Sequence, residues 1–371
     1  MKGLDLCEAF YWEVVRPIMA HRFPTLLERH AAGLIGYGSD VLGHDDEWSR
    51  DHEWGARCHI WLTERDYAEH AAGLDRALTE EVPVSFRGCP ARFTPDEAGE
   101  VLVPHKDSTG LHHVAITTLS RHMHIQLGMT AAEPAWVDWL VIPEQKLLEW
   151  TRGRIFIDPP GEITALRKRL AYLPEGVWLY KLKEAWSHFG GLYVPVLADR
   201  RGDSFSARLA LNRLAEKAVQ LIFLYNRQYR PGTYKWISRE LARIGPAAAR
   251  QGRMLEAAIL EPNAAQAVHR IEEVLEELAD LHNQLRITAP VKLEASHPYA
   301  RGLQDRSYSS LEKVLTASLS PELCQLEIPG GVDQFVTSPY ILVWAEHYSK
   351  FRTLYQMKAD IDRTGIGDMM V

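Results

Sequence analysis

Asp51 and Glu53 are two positions apart, so in an extended chain both carboxylates point to the same face. Two carboxylates on one face suit a hard divalent cation such as Mg²⁺ or Mn²⁺, which takes oxygen ligands and keeps some of its waters. Upstream, Leu34-Ile35 runs into Gly36-Tyr37-Gly38-Ser39, which reads as a strand ending in a Gly-Ser turn. Glycine lets backbone N–H groups approach a phosphate closely, and a hydroxyl such as that of Ser39 binds phosphate oxygens. The two stretches together have the chemistry to hold a metal-bound triphosphate, with Gly38 and Ser39 toward phosphate and Asp51 and Glu53 toward the metal. Between them, Asp45-Asp46-Glu47 either adds a metal contact, orients His44, or forms a solvated acidic loop.

The elements that must position these groups follow from periodicity. Leu6, Phe10, Val14 and Ile18, then Leu26 and Leu27, recur at helical spacing with interruptions at Pro17 and Pro24, which predicts two short helices ahead of the first strand. The strand carrying Asp51 and Glu53 is expected to continue through residues 56 to 62, and Thr63-Glu64-Arg65-Asp66 reads as the capped start of a helix reaching about Leu78. Residues 82 to 93 read as a strand with a turn at Gly88-Cys89-Pro90, and the β-branched run from His113 to Leu119 as a buried strand. A helix is expected over 136–150 and a short strand over 153–158, closed by Pro159-Pro160-Gly161.

From Glu162 the pattern turns helical, over about 162–171, 175–190, 203–229, 233–245, 246–260 and 264–284, the last with an apolar stripe through Val268, Ile271, Val274, Leu275 and Leu278. The tail from Leu303 is mixed, with helices near 309–317 and 337–356. This order predicts an α+β chain, a small mixed-sheet domain over 1–160 followed by a mostly helical bundle over 161–371, joined by a change of period and not by a linker.

With 371 residues the chain can bury two cores. A net charge of -7 and a pI near 6.2 argue against a dedicated nucleic-acid binder, which needs a basic face. Charges interrupt the first apolar segment, unlike a secretory signal, and no window reaches the roughly 18 uncharged apolar residues of a membrane span. Cys7, Cys58, Cys89 and Cys324 are widely spaced, which points away from a disulfide scaffold and toward a reducing cytoplasm. His112, His113, His122 and His124 lack cysteine or acid partners at zinc-ligand spacing. Trp136, Trp139, Trp150, Trp178 and Trp186 are expected in the core.

A Gly-Ser turn followed, after eleven residues, by Asp-x-Glu is similar to the minimal signature of the DNA polymerase beta-like nucleotidyltransferases. Ser49-Arg50-Asp51-His52-Glu53 resembles their Ser-Asp-x-Asp/Glu run with one residue inserted. The stretch from Gly43 to Gly55, together with Phe86-Arg87-Gly88-Cys89-Pro90, residues 223 to 231, Lys235-Trp236 and His282-Asn283, resembles a bacterial family of unknown function placed among such proteins, over about residues 30 to 340. The resemblance implies transfer of a nucleoside monophosphate, with ATP as the expected donor, onto a hydroxyl of a small-molecule acceptor, assisted by Mg²⁺ or Mn²⁺ at Asp51 and Glu53. A third carboxylate, normal on a neighbouring strand, is missing from His113-Val114-Ala115-Ile116, and Asp158 is the substitute. This departure motivates an alternative, a nucleotide-binding regulatory or interaction protein that kept the fold and lost turnover.

Arg227, Arg230 and Lys235, interleaved with Tyr229, Tyr234 and Trp236, could bind phosphates and stack a base, with Arg227 and Lys235 the expected triphosphate contacts. The competing reading is a helix end whose basic residues satisfy its negative pole. His282 and Asn283 close the acidic helix, either facing a cleft or capping it.

Overall fold

A computed structural model describes residues 1–50, 52–232, 234–293, 297–299 and 303–356. In chain order the elements that matter are α1 (Gly3–Phe10), a π turn (Tyr11–Val15), α2 (Arg16–Arg22), β1 (Ala31–Leu34), β2 (Arg57–Leu62), α3 (Glu64–Glu81), β3 (Ser85–Phe86), β4 (Cys89–Pro90), β5 (Arg92–Pro95), β6 (Leu102–Pro104), β7 (Leu111–Thr118) and α4 (Leu119–Leu127). They continue with α5 (Trp136–Val141), α6 (Glu144–Thr151), β8 (Arg154–Ile157), α7 (Glu162–Arg169), α8 (Glu175–Ser187), α9 (Tyr193–Arg200), α10 (Ser204–Tyr225), α11 (Ile237–Ile244), α12 (Pro246–Leu260), α13 (Ala264–Gln284) and α14 (Ser309–Ala317). The chain is α+β, with a mixed six-stranded sheet in its N-terminal part and a helical C-terminal region.

Two compact units result. The first comprises Met1–Pro134, Glu144–Ala171 and Trp344–Glu346; the second comprises Ala135–Pro143, Tyr172–Val343 and the stretch beginning at His347. Residue 160, where the sequence pattern changes, falls inside the first unit. Among the described residues no helix is long and apolar enough to cross a membrane.

The first unit is built on the sheet β6-β5-β7-β2-β1-β8, in which only β2 and β7 run parallel. Alternation along β2 sorts its two faces. Cys58, Ile60 and Leu62 join the apolar core with Leu6, Phe10, Val15 and Met19 from the N-terminal helices and Leu74 and Leu78 from α3. Arg57, His59 and Trp61 point the other way. There His59 lies 4.7 Å from the His122 ring, and Trp61 Nε1 donates to His122 Nδ1 at 2.8 Å. Burial pushes His122 down to about 4, so it is neutral near pH 7 and able to accept that bond.

Several expected boundaries move for identifiable reasons. Helix runs through Pro17, which sits in the first turn of α2 directly after the π turn, where the bonding register changes and a missing N–H is tolerated. The expected helix over 136–150 is two, α5 and α6, separated at Ile142-Pro143 because the residue before proline avoids helical geometry. The expected stretch 203–229 stops at Tyr225. The start of α3 is as expected: Thr63 Oγ1 accepts from Asp66 N–H at 3.1 Å.

In the second unit α10 packs against α8, α9, α12 and α13. Its C-terminal end is pinned by tryptophans of α8, Trp178 Nε1 donating to Leu224 O at 2.8 Å and Trp186 Nε1 to the Tyr225 hydroxyl at 2.7 Å. Tyr225 also meets His282 Nδ1 at 3.1 Å, and His282 Nε2 meets Thr288 Oγ1 at 2.7 Å, so His282 belongs to the packed interior. Asn283 caps the following loop through Val291. Of the five tryptophans assigned to the core, Trp136 alone is exposed.

Candidate functional site

β1 and β2 are antiparallel, with Gly33 opposite His59, so the chain must reverse between Leu34 and Arg57. It does so through Gly36 (φ 94) and Gly38 (φ 136), conformations that glycine adopts without strain. A helical turn follows, in which Leu42 N–H donates to Gly38 O at 3.2 Å and His44 N–H to Ser39 O at 2.8 Å. Space also demands glycine at 38: a Cβ there would stand 2.3 Å from Asp40 Oδ1 and 2.5 Å from Arg57 Nη2.

Arg57 opens β2 and is buried against this turn. Its Nη2 donates to Asp40 Oδ1 at 2.6 Å and to Tyr37 O at 3.3 Å. Asp45 is buried as well, accepting from Gly3 N–H at 2.8 Å and from Trp54 Nε1 at 3.4 Å, with Lys2 Nζ 3.4 Å away. A carboxylate there meets the positive pole of α1. Even so, Asp40 Oδ2, Asp45 Oδ1, Glu53 Oε2 and Arg57 Nε are buried with no hydrogen-bond partner among the described residues. Buried polar atoms are nearly always paired. Three carboxylates here face two cations, Arg57 and Lys2, so the cluster has surplus negative charge. Burial pushes the Glu53 carboxyl above its ordinary range although Arg57 opposes the shift. The neighbouring Cys7 thiol, donating to Gly55 O at 3.3 Å, is pushed up to about 12 by burial.

The sequence expectation for the metal face is corrected here. Asp51 lies outside the described residues, and Glu53 is not on a strand: it sits in a bend with φ 54, and β2 begins only at Arg57. Gly55 draws the chain against β4 and β5, where a Cβ would be 2.5 Å from Pro90 O and 2.7 Å from Phe93 Cζ, and the extended path is interrupted. The alternation argument for Asp51 and Glu53 therefore does not apply.

Asp158 is placed away from the glycine turn. β8 is antiparallel to β1, with Arg154 opposite Leu34 and Ile157 opposite Ala32. Asp158 thus lies at the Ala31 end of β1, while the glycine turn leaves from the Leu34 end. Its carboxylate is engaged at the start of α7, accepting from Gly161 N–H at 3.0 Å and Thr164 N–H at 2.8 Å. On the strand beside β2, His113 stands opposite Arg57 and Ala115 opposite His59. Burial and then Arg57 push His113 down to about 3, so it is uncharged at neutral pH.

Asp40 is an acid that the sequence does not single out, and Asp45 is one for which it offers a metal contact, the orienting of His44 and a solvated loop side by side. Asp40 follows Gly-Ser directly, and Asp45 was grouped with Asp46 and Glu47 in a loop; Asp45 is 5% exposed, so for this residue the solvated-loop reading fails. The signal that could have found them is the alternation of Arg57, His59 and Trp61 against Cys58, Ile60 and Leu62, which places a cation on the inner face needing an acid. Arg227 and Lys235 belong to the second unit. Arg227 lies over the Trp178 ring at 3.8 Å and pairs with Glu175 at 2.7 Å. Lys235 is exposed in a 3₁₀ turn with its Nζ 5.9 Å from the Trp236 ring.

Among the described residues, of which Asp51 is not one, no group of three or more His, Cys, Asp or Glu side chains is placed to hold a metal ion. Residues 139–237 match a domain of unknown function (DUF4037). No curated protein and no solved structure matches the chain. The DUF4037 segment runs from within α5 to the first residue of α11, and so contains Asp158, Arg227 and Lys235 but not the turn from Gly36 to Arg57.

Proposed function

We propose that the chain is a nucleotidyltransferase of the DNA polymerase beta-like kind, transferring a nucleoside monophosphate, with ATP as the expected donor, to a hydroxyl of a small-molecule acceptor. The observation that supports this reading is buried carboxylate oxygen on Asp40, Asp45 and Glu53 that has no hydrogen-bond partner among the described residues, close to a double-glycine turn. A bare triphosphate would be repelled there. Oxygen donors with surplus negative charge fit a hard divalent cation, Mg²⁺ or Mn²⁺. Glu53, with Asp51, would hold that cation, which when bound neutralises phosphate charge and polarises the α-phosphate. Gly38 and Ser39 receive the phosphates, and Arg57, locked by Asp40, fixes the turn. A second reading, nucleotide binding without turnover, is favoured by one observation: on the strand beside β2, Ala115 stands opposite His59 and neutral His113 opposite Arg57, and neither supplies the third acid.

The test is incubation with α-labelled ATP, Mg²⁺ or Mn²⁺ and a metabolite extract, with pyrophosphate release and labelled product as readouts. Release that is lost in both Asp51→Ala and Glu53→Ala supports transfer. Metal-dependent nucleotide binding with no release by the wild type supports the second reading, and no metal-dependent nucleotide binding refutes both.

A further inference from the structure

The second unit holds a cleft that the nucleotide reading does not use. Helices α10, α11 and α12 surround about 620 Å³, within the roughly 300–1,000 Å³ of small-ligand sites. Its wall is largely apolar, with Leu209 and Val219 from α10, Ile237 and Leu241 from α11, and Leu255 and Ile259 from α12. Arg208 Nη1 donates to Ile259 O at 3.1 Å, which ties the start of α10 to the end of α12. At that mouth Leu209 is 55% and Leu260 74% exposed, apolar surface that a ligand body would cover.

Four charged side chains share the wall and balance one another in sign, Arg213 and Arg230 against Glu216 and Glu256. Two of them are engaged within the protein: Glu216 accepts from the Tyr234 hydroxyl at 3.0 Å, and Arg230 Nη2 donates to Asp333 O at 3.5 Å. Arg213 and Glu256 are left over, since neither forms a hydrogen bond or an ion pair with a described residue. Arg213 follows Leu209 by one turn of α10, and Glu256 precedes Leu260 by one turn of α12, so each charge shares a helix face with an apolar residue of the mouth. One cation and one anion thus stand unpaired over a single apolar cleft. A wholly apolar guest would strip both of water without replacing it. A guest with one charge would answer one of them and be repelled by the other.

We infer that this cleft binds a small zwitterion with an apolar body, an amino acid with a large aliphatic or aromatic side chain. Its carboxylate meets Arg213, its ammonium meets Glu256, and its side chain lies between α10, α11 and α12. The arginine fork suits a carboxylate, and Asn212 and Ser238, which also line the cleft, bring neutral hydrogen-bonding groups. The inference stands apart from the nucleotide reading, since it uses only the second unit.

The test is calorimetric titration of the full chain with leucine, phenylalanine and tryptophan, and with glycine as the zwitterion that lacks a body. At least one of the large amino acids is expected to bind saturably, and glycine is not. The analogues of that amino acid without its ammonium and without its carboxylate, 3-phenylpropionate and phenethylamine in the case of phenylalanine, should each bind at least about tenfold more weakly. Arg213→Gln should bring the amino acid down to the affinity of the analogue without a carboxylate, and Glu256→Gln to that of the analogue without an ammonium. A general loosening of the cleft would not sort the analogues in this way. Both side chains are exposed and pair with no described residue, so both variants are expected to melt as wild type does, and the analogue series on the wild type needs neither. Absence of saturable binding by all the large amino acids, an analogue that binds as tightly as its amino acid, or unchanged affinity in folded Arg213→Gln or Glu256→Gln overturns the proposal.

Discussion

Replacing Arg57 by methionine is the sharpest perturbation of the first unit. Methionine keeps most of the side-chain volume, so the loss is of charge and hydrogen bonds and not of packing. Asp40, 2% exposed, then keeps, among the described residues, the Val41 N–H at 2.9 Å on Oδ1, while Oδ2 has no hydrogen-bond partner there. Removing one member of a buried pair costs about 3–5 kcal/mol, because an uncompensated charge remains. At about 2–4 °C per kcal/mol for a unit of this size, the melting temperature should fall by about 6–20 °C. Adding Asp40→Asn to Arg57→Met removes the stranded charge and should recover a good part of the loss. Scanning calorimetry of wild type, both single variants and the double variant at pH 7 gives the complete cycle. A fall of less than about 2 °C in Arg57→Met, or a double variant no more stable than the single, would refute the argument.

Glu53 gives a pH test. Its folded-state carboxyl is raised by burial, so the folded chain holds the proton more tightly and stability is lost as pH rises from the ordinary carboxylate range through the raised value. Glu53→Gln should therefore melt above wild type at pH 7, with the gap closing below about pH 4.3; a constant gap from pH 4 to 8 argues against it. Asp158→Ala should cost about 0.5–2 kcal/mol in urea unfolding through loss of the α7 cap and leave any pyrophosphate release intact. Loss of release in a folded Asp158→Ala would reinstate it as the third carboxylate. Tyr225→Phe strands Trp186 Nε1 in a fully buried position and removes the partner of His282 Nδ1, and should cost about 1–3 kcal/mol by denaturant unfolding.

What the sequence revealed divides along physical lines. Long amphipathic helices announce themselves through many residues of consistent period, and α12, α13 and α14 have the bounds their patterns predict. The β-branched run became β7, and Thr63 capped α3 as its spacing required. Short elements next to glycines did not follow. Asp51 and Glu53 were read on a strand because alternation is the cheapest explanation of two nearby acids, but Gly55 is forced against Pro90 O by a contact far away in the chain, which no local pattern records. Asp158 was chosen by elimination, yet its partners are the amides of Gly161 and Thr164, a turn-and-cap arrangement that Asp-Pro-Pro-Gly-Glu spells out locally.

The N-terminal helix shows why the candidate site could not be drawn from its motif alone. Its periodicity predicts only a helix ahead of β1, yet Gly3 N–H and Lys2 hold Asp45, and Cys7 bonds Gly55 O. Gly3 is small for a reason: a Cβ there would stand 2.5 Å from the Asp40 Cβ and 3.1 Å from Trp54 Nε1. The start of α1 is thus wedged between the two acids that flank the turn, and its positive pole partly offsets their charge. That offset is incomplete, because Asp40 Oδ2, Asp45 Oδ1 and Glu53 Oε2 are buried with no hydrogen-bond partner among the described residues, Asp45 Oδ1 having only the Lys2 ammonium at 3.4 Å. A folded chain tolerates such a deficit only where the cost is recovered elsewhere; on the reading proposed above, a cation at Glu53 would recover part of it.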